Sequence, residues 1–360
     1  MEPQIRTKQK KKDKKPLYIL AGTLVFFGLF IFLITRPSTK SKAVKELASS
    51  FNKKDVEMVW YKYKSDLYQN EDFLREVRTR LASLNLTEAD IKECKSWLPP
   101  APVSLNIIVV PDLSRRIIDI NNNPNQVNND IQVLNTIWQT FRNSTKFKPN
   151  SKDHLSIDVT DINQAKGQFG TFANELQFDL SSLKGKNNIL YFTEKLDKQY
   201  LDNITAMYAS AVQQPLGADY RFYLRRYLAG HLKANTLFDS YNNKVIFITD
   251  GYLEAQKQPA DTKIYGYQKL LYPAVQIGNV LNIINANQLN IPTVDIDLSN
   301  TEVMVCEVNE RKAGKGYDFE ILKTYWTDWM TRMNVRKFKF MEREQASDLT
   351  KKSIEEFINN

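Results

Sequence analysis

Two short runs constrain this chain more than anything else in it: "NIIVVPD", Asn106–Asp112, and "VIFITD", Val245–Asp250. Each strings apolar residues together and stops at an aspartate. A strand that is apolar at consecutive positions has both faces covered, as in a parallel sheet flanked by helices. Longer amphipathic patterns separate such runs. Val127, Ile131, Leu134, Trp138 and Phe141 recur at helical spacing. Leu201–Gln213, Asp219–Lys233, Tyr272–Gln288 and Phe319–Met333 also read as helices. "HLSIDVTD", "NNILYFT" around Ile189, "TEVMVCEV" and "VRKFKF" read as further strands. This alternation predicts an α/β domain over residues 103–345, with a doubly wound, mostly parallel sheet and right-handed crossovers. Residues 346–360 read as a C-terminal helical tail. In such sheets ligands collect beyond the carboxyl ends of the strands, where the strand order reverses. With the two aspartate-ended strands as neighbours, Asp112 and Asp250 rise from one rim.

The chain ahead of this domain divides into three. Residues 1–15 form a basic tail, and Pro16–Thr35 is a run of 20 residues without a charge. As a helix, such a run spans about 30 Å, the thickness of a bilayer core. A cleaved signal peptide has a shorter apolar core and a small-residue cleavage site. The following "RPSTKSKA" has no such site, so an uncleaved transmembrane helix is expected. Of the formal net charge of +9, most comes from seven basic residues set against two acidic ones within positions 1–16. This bias puts the N-terminus in the cytoplasm and residues 36–360 outside it, on a single-pass protein of the cytoplasmic membrane. The lysines then need no nucleic acid to explain them, and they are placed to touch anionic lipid heads. Residues 36–102 read as a helical stalk or cap with a linker. Phe73, Val77, Leu81 and Leu84 share one helix face, Thr87 with Asp90 makes a capping-box start, and "LPPAP" stops the helix.

"IIVVPDLSRR", a helix, a helical pair opened by "PLGADYRFYL", then "VIFITDG", "TEVMVCEV" and a final strand together resemble a von Willebrand factor A-like domain, over about residues 103–341. The resemblance implies a metal-ion-dependent adhesion site. There a D-x-S-x-S loop, a threonine from a later loop and the aspartate of a T-D-G turn hold Mg²⁺, whose open position takes a partner's carboxylate. Mg²⁺ demands a tight octahedron of hard oxygens and keeps several waters, which explains those residue types. Asp112 and Ser114 match the first two positions and Asp250 matches the T-D-G aspartate. The third loop position is Arg116 rather than serine, and the threonine position falls at Ala218, beside Asp219. A guanidinium 5 Å from a divalent ion costs about 6–7 kcal/mol at an effective dielectric of about 20. The expectation is a degenerate, metal-free site in which Arg115 or Arg116 takes the place of the ion and pairs with Asp112 and Asp250. The alternative keeps Mg²⁺ on Asp112, Ser114 and Asp250, with Arg116 turned out into water.

What the resemblance implies for function is a non-catalytic, membrane-anchored extracytoplasmic module that binds or scaffolds another protein. Its partner would dock on the rim of Asp112, Ser114, Arg115, Arg116, Gly217, Asp219, Asp250 and Gly251. The competing reading is a metal-dependent phosphohydrolase of the haloacid dehalogenase type, with Asp112 at the strand end and Thr249 as its second motif. That chemistry requires D-x-D, the second aspartate being the general acid, and Ser114 stands in that place.

The remaining motifs read as structural. Cys94 and Cys306 suggest neither a disulfide framework nor a zinc site, and free buried thiols are expected. In "DHLS", neighbouring strand residues point to opposite faces, so Asp153, His154 and Ser156 do not form a triad. His231 is the one other histidine. The basic and aromatic stretch 219–233 would pack its aromatics inward and turn its arginines to solvent. Trp326 and Trp329 read as core, and "AGKGYD", 313–318, as a surface turn that lacks phosphate-loop spacing.

Overall fold

The computed structural model describes residues 38–148, 151–160, 168–183, 188–236, 238–253, 267–311, 316–343 and 347–360. The basic tail, the expected transmembrane helix and most of "AGKG" lie outside the described residues. Among the described residues, no helix is long and apolar enough to cross a membrane. The chain forms two compact units, one ending at Pro99 and the other beginning at Pro100.

The first unit is helical: α1 (Thr39–Ala48), α2 (Lys53–Leu67), α3 (Glu71–Ala82) and α4 (Glu88–Trp97). Each helix starts at a side-chain cap. Ser38, Asn52, Asn70 and Thr87 each accept a hydrogen bond from the amide three residues on, which satisfies one otherwise orphaned donor. The Thr87–Asp90 capping box forms in both directions. Trp60, Phe73, Val77 and Leu81 are buried in this unit, with Trp60 stacked on Phe73 at 6.1 Å between ring centroids. Lys53 reaches both Asp90 and Glu93, tying α2 to α4.

The second unit is α/β, with a six-stranded sheet in the order β3-β2-β1-β4-β5-β6. The strands are β1 (Val103–Pro111), β2 (His154–Ile157), β3 (Gln177–Asp179), β4 (Ser240–Ile248), β5 (Thr301–Val308) and β6 (Lys337–Glu342). All pairings are parallel except the edge pairing of β3 with β2. The described helices are α5 (Gln126–Thr145), α6 (Gln168–Glu175), α7 (Glu194–Gln213), α8 (Tyr220–Tyr223), α9 (Ala229–His231), α10 (Tyr267–Gln276), α11 (Val280–Ala286), α12 (Asp318–Arg332) and α13 (Ser347–Asn359). Side chains of the central strands alternate between two cores. Ile107, Val109, Ile246 and Ile248 pack with Leu134, Trp138, Ile204 and Tyr208. Ile108, Val110, Val245 and Phe247 pack with Tyr220, Trp326 and Trp329. That is why β1 and β4 read as unbroken apolar runs.

Three sequence expectations change. The described part of "NNILYFT", residues 188–193, is a turn, not a strand, and Leu190 is 92% exposed; the edge strand is the three-residue β3, too short to show alternation. The helix expected over Tyr272–Gln288 is two helices, parted at Gly278 with its φ of +66°. The path from Tyr220 to His231 is helical but carries a π-turn, Leu224–Leu228, between α8 and α9. Its Tyr220, Tyr223, Leu224 and Leu228 are buried while Arg225 and Arg226 are exposed. Trp326 and Trp329 are core residues, and both cysteines are free and buried.

Candidate functional site

β1 and β4 run side by side to their ends, with Pro111 opposite Ile248. The Asp112 amide adds one more rung, donating to the Ile248 carbonyl at 2.9 Å. Asp112 and the Thr249–Asp250 pair therefore leave the sheet at the same edge. The chain continues to β2 on one side of β1, and β5 and β6 lie on the other side of β4, so the order reverses between these two strands. A crevice at this position is where open α/β sheets hold their ligands.

The loop after β1 folds back on itself. Ser114 donates its amide to Asp112 Oδ1 at 2.9 Å, and its own Oγ accepts from the Arg116 amide at 3.4 Å, capping a 3₁₀ turn over Arg115–Ile118. The turn drives Arg116 inward, to 4% exposure, and leaves Arg115 exposed. Arg116 Nε donates to the Asp112 carbonyl at 3.0 Å and lies 3.4 Å from Asp112 Oδ2. Its Nη2 donates to the Ile248 carbonyl at 2.8 Å and to Asp130 Oδ2 at 2.6 Å, while Nη1 reaches Asp130 Oδ1 at 3.4 Å. Asp130 also accepts from Gln126 Nε2 at 2.7 Å and from the Tyr208 hydroxyl at 2.9 Å. Burial pushes the Asp130 carboxyl upward, against Arg116, Gln126 and Tyr208, which favour its ionised form. With four donors aimed at its two oxygens, the ionised form is the one this geometry fits. Burial opposes the Arg116 charge too, but Asp130 and Asp112 outweigh it and hold the guanidinium protonated.

Asp112 Oδ2 accepts from the Thr249 hydroxyl at 2.9 Å, so both of its oxygens are engaged and the residue is 3% exposed. Asp250, 2% exposed, turns away from Arg116. Its Oδ1 accepts from the Tyr252 amide at 3.3 Å and its Oδ2 lies 3.4 Å from Arg311. The Arg311 guanidinium stacks over the Tyr252 ring at 3.9 Å. Burial, and then the nearby Asp112, push the Asp250 carboxyl up to about 6. The expected single arginine bridging both aspartates is therefore replaced by two arginines: Arg116 serves Asp112 and Asp130, and Arg311 serves Asp250. Arg115 does not enter the crevice.

The other expected rim residues have local roles. Gly251 is buried at φ +90°, and a Cβ there would meet Val308 Cγ1 at 3.1 Å; its carbonyl accepts from the Trp326 indole at 2.9 Å. Asp219 caps α8 by accepting from the Phe222 amide at 3.0 Å. Gly217 is half-buried in the preceding loop and Ala218 is buried.

Asp130 and Arg311 escaped the sequence reading. Asp130 had a signal: with Val133, Ile137 and Phe141 it falls on the apolar stripe of α5, and a carboxylate there must find a buried cation. Arg311, beyond the end of β5, had none. The donor set does not fit Mg²⁺. Asp112 has spent both oxygens, Ser114 caps the turn, Ala218 offers no side-chain oxygen, and a buried guanidinium stands against the first aspartate. Among the described residues, no group of three or more His, Cys, Asp or Glu side chains is placed to hold a metal ion. Comparison with known protein families finds no matching family model, and comparison with curated proteins finds no significant relative.

Proposed function

We propose that this chain is a membrane-anchored, extracytoplasmic binding or scaffold module built on a von Willebrand factor A-like domain, with Arg116 in place of the adhesion-site metal. The observation that carries the reading is the buried Arg116, bonded at once to Asp112, Asp130 and the Ile248 carbonyl at the switch point of the sheet. A phosphohydrolase would need an aspartate open to attack, whereas Asp112 is covered and fully hydrogen-bonded. Because Arg116 is spent inside, a partner meets the outer residues of the same loop. Arg115 is exposed there, and Ile118 and Ile120 are 44% and 77% exposed.

A photo-crosslinking residue at position 120, introduced in the native cell, tests this surface. The expected result is one dominant adduct with a single protein, identified by mass spectrometry and lost in Arg115→Glu. An adduct unchanged by Arg115→Glu sinks the docking surface. Calorimetric titration of the full chain in detergent with Mg²⁺ and Mn²⁺ is expected to show no binding. Sub-millimolar affinity lost in Asp112→Ala would overturn the metal-free reading, and turnover of generic phosphate esters would restore the phosphohydrolase.

A further inference from the structure

One residue on β5 holds a backbone conformation that its side chain does not favour. Glu307 sits at φ +65°, a left-handed conformation that is uncommon outside glycine. The register with β6 shows where it comes from. Val305 lies opposite Phe340 and Val308 opposite Glu342, so β5 passes two residues where β6 passes one. This is a β-bulge, which re-aims a side chain at the cost of local strain. Under strict alternation Glu307 would turn to the side of Val303 and Val305. With the bulge, Val308 returns to that side and packs in the same core, and Glu307 turns toward α5. A strand built for packing alone would carry an apolar residue here and keep its alternation.

Glu307 begins a run of polar contacts that ends in the crevice. Its Oε2 accepts from Arg343 Nε at 3.0 Å. Arg343 Nη2 donates to Gln126 Oε1, and Gln126 Nε2 donates to Asp130 Oδ1 at 2.7 Å. The Gln126 amide is thereby held in one orientation, oxygen toward Arg343 and nitrogen toward Asp130. Asp130 holds Arg116. Glu307, Gln126, Asp130 and Arg116 are all buried, and Arg343 is the outermost member of the run. Burial, and then Asp130, push the Glu307 carboxyl upward, while Arg343 and Arg116 favour its ionised form. At the far end, the Arg116 side chain folds back on the Asp112 carbonyl and closes the turn over Arg115–Ile118. The amides of Ser114, Arg116, Ile117 and Ile120 are all hydrogen-bonded within this loop.

We propose that Glu307, Arg343 and Gln126 are positioning residues for the docking loop: they fix Asp130, which fixes Arg116 and with it the turn that presents Arg115, Ile118 and Ile120. This assignment rests on the protein-binding reading above and adds what holds that surface in shape. Amide hydrogen exchange on the full chain in detergent micelles, followed peptide by peptide, tests it. Arg343→Gln, and separately the milder Glu307→Gln, are expected to speed exchange at least about tenfold across Leu113–Ile120. Exchange in β1, β4 and the helices of the first unit is expected to change less than about twofold. Lys244→Met breaks a different buried ion pair on the same sheet, Lys244 with Glu302, and is expected to leave the loop within about twofold of the parent. The photo-crosslinked adduct from position 120 is expected to weaken in Arg343→Gln. Unchanged loop exchange in both variants overturns the proposal. So does an increase spread evenly over the sheet, which would make the run a general brace, or an equal loosening of the loop in Lys244→Met. Faster exchange confined to the loop, with no adduct in the parent or one unchanged in Arg343→Gln, leaves the positioning residues standing and removes the docking surface alone.

Discussion

The crevice at Asp112 and the face of α5 at Asn129 both lie toward the carboxyl ends of the strands, and they treat polar side chains in opposite ways. In the crevice every charged group is matched within the fold: Arg116 to Asp112 and Asp130, Arg311 to Asp250. Along α5 the amides of Asn125, Gln132 and Asn135 are exposed to solvent, and Asn129 is half-buried. The first arrangement gains rigidity and has no bonds left to give. The second is cheap to alter. A chemically conspicuous cluster is therefore not automatically the place where a protein meets its partner.

The difference can be broken most forcefully at Arg116. Arg116→Ala leaves Asp130, fully buried, with no cation. Removing one partner of a buried ion pair costs about 3–5 kcal/mol, read as a lower urea midpoint for the full chain and faster amide exchange in β1 and β4. The apolar double variant Arg116→Met/Asp130→Leu is expected to recover most of that loss. If Arg116→Ala unfolds like the parent, the crevice is not the closed structural unit described above.

Asp250 sharpens the contrast through pH. Its folded value of about 6 lies above an unfolded value near 3.9. The folded state therefore holds the extra proton between about pH 4 and 6. Asp250 favours folding fully below that window, and the benefit is lost as pH rises through 6. The span is worth up to about 3 kcal/mol. Asp250→Asn, neutral throughout, should remove that decline, seen as a flatter stability profile from pH 4 to 7 than in the parent. An identical profile would show that Asp250 is not held up by burial and Asp112.

Smaller effects follow at the crevice floor and on α5. Gly251→Ala puts a side chain at φ +90° against Val308 and should cost about 1–2 kcal/mol in thermal or urea unfolding. Asn129→Ala, by contrast, should move stability by about 0.5 kcal/mol or less, toward greater stability, because alanine is the better helix former. A large loss there would mean that the amide is already committed inside the fold.

The sheet was legible where its strands were long. β1, β4 and β5 are apolar at consecutive positions, so their burial was written into composition, and the aspartates after β1 and β4 marked a shared edge. β3 was not legible, since three residues carry no period. The neighbouring "NNILYFT" has strand-like residues, but Leu190 points into solvent; propensity there yields to the turn that the fold requires. At the crevice the residue types near each strand end were readable. The choice of counter-ion was not. Asp130 lies on a helix, and only the packing of α5 against the sheet brings it to Arg116. Arg311 reaches Asp250 from beyond a third strand.

One consequence of Arg116 concerns what the sequence can still become. Putting a serine at 116 replaces the guanidinium with a short hydroxyl and strands Asp130 without its counter-ion. Changing Asp130 first strands Arg116 in the same way. Either single step crosses an unstable intermediate, so descendants of this chain are held in the arginine state until two codons change together.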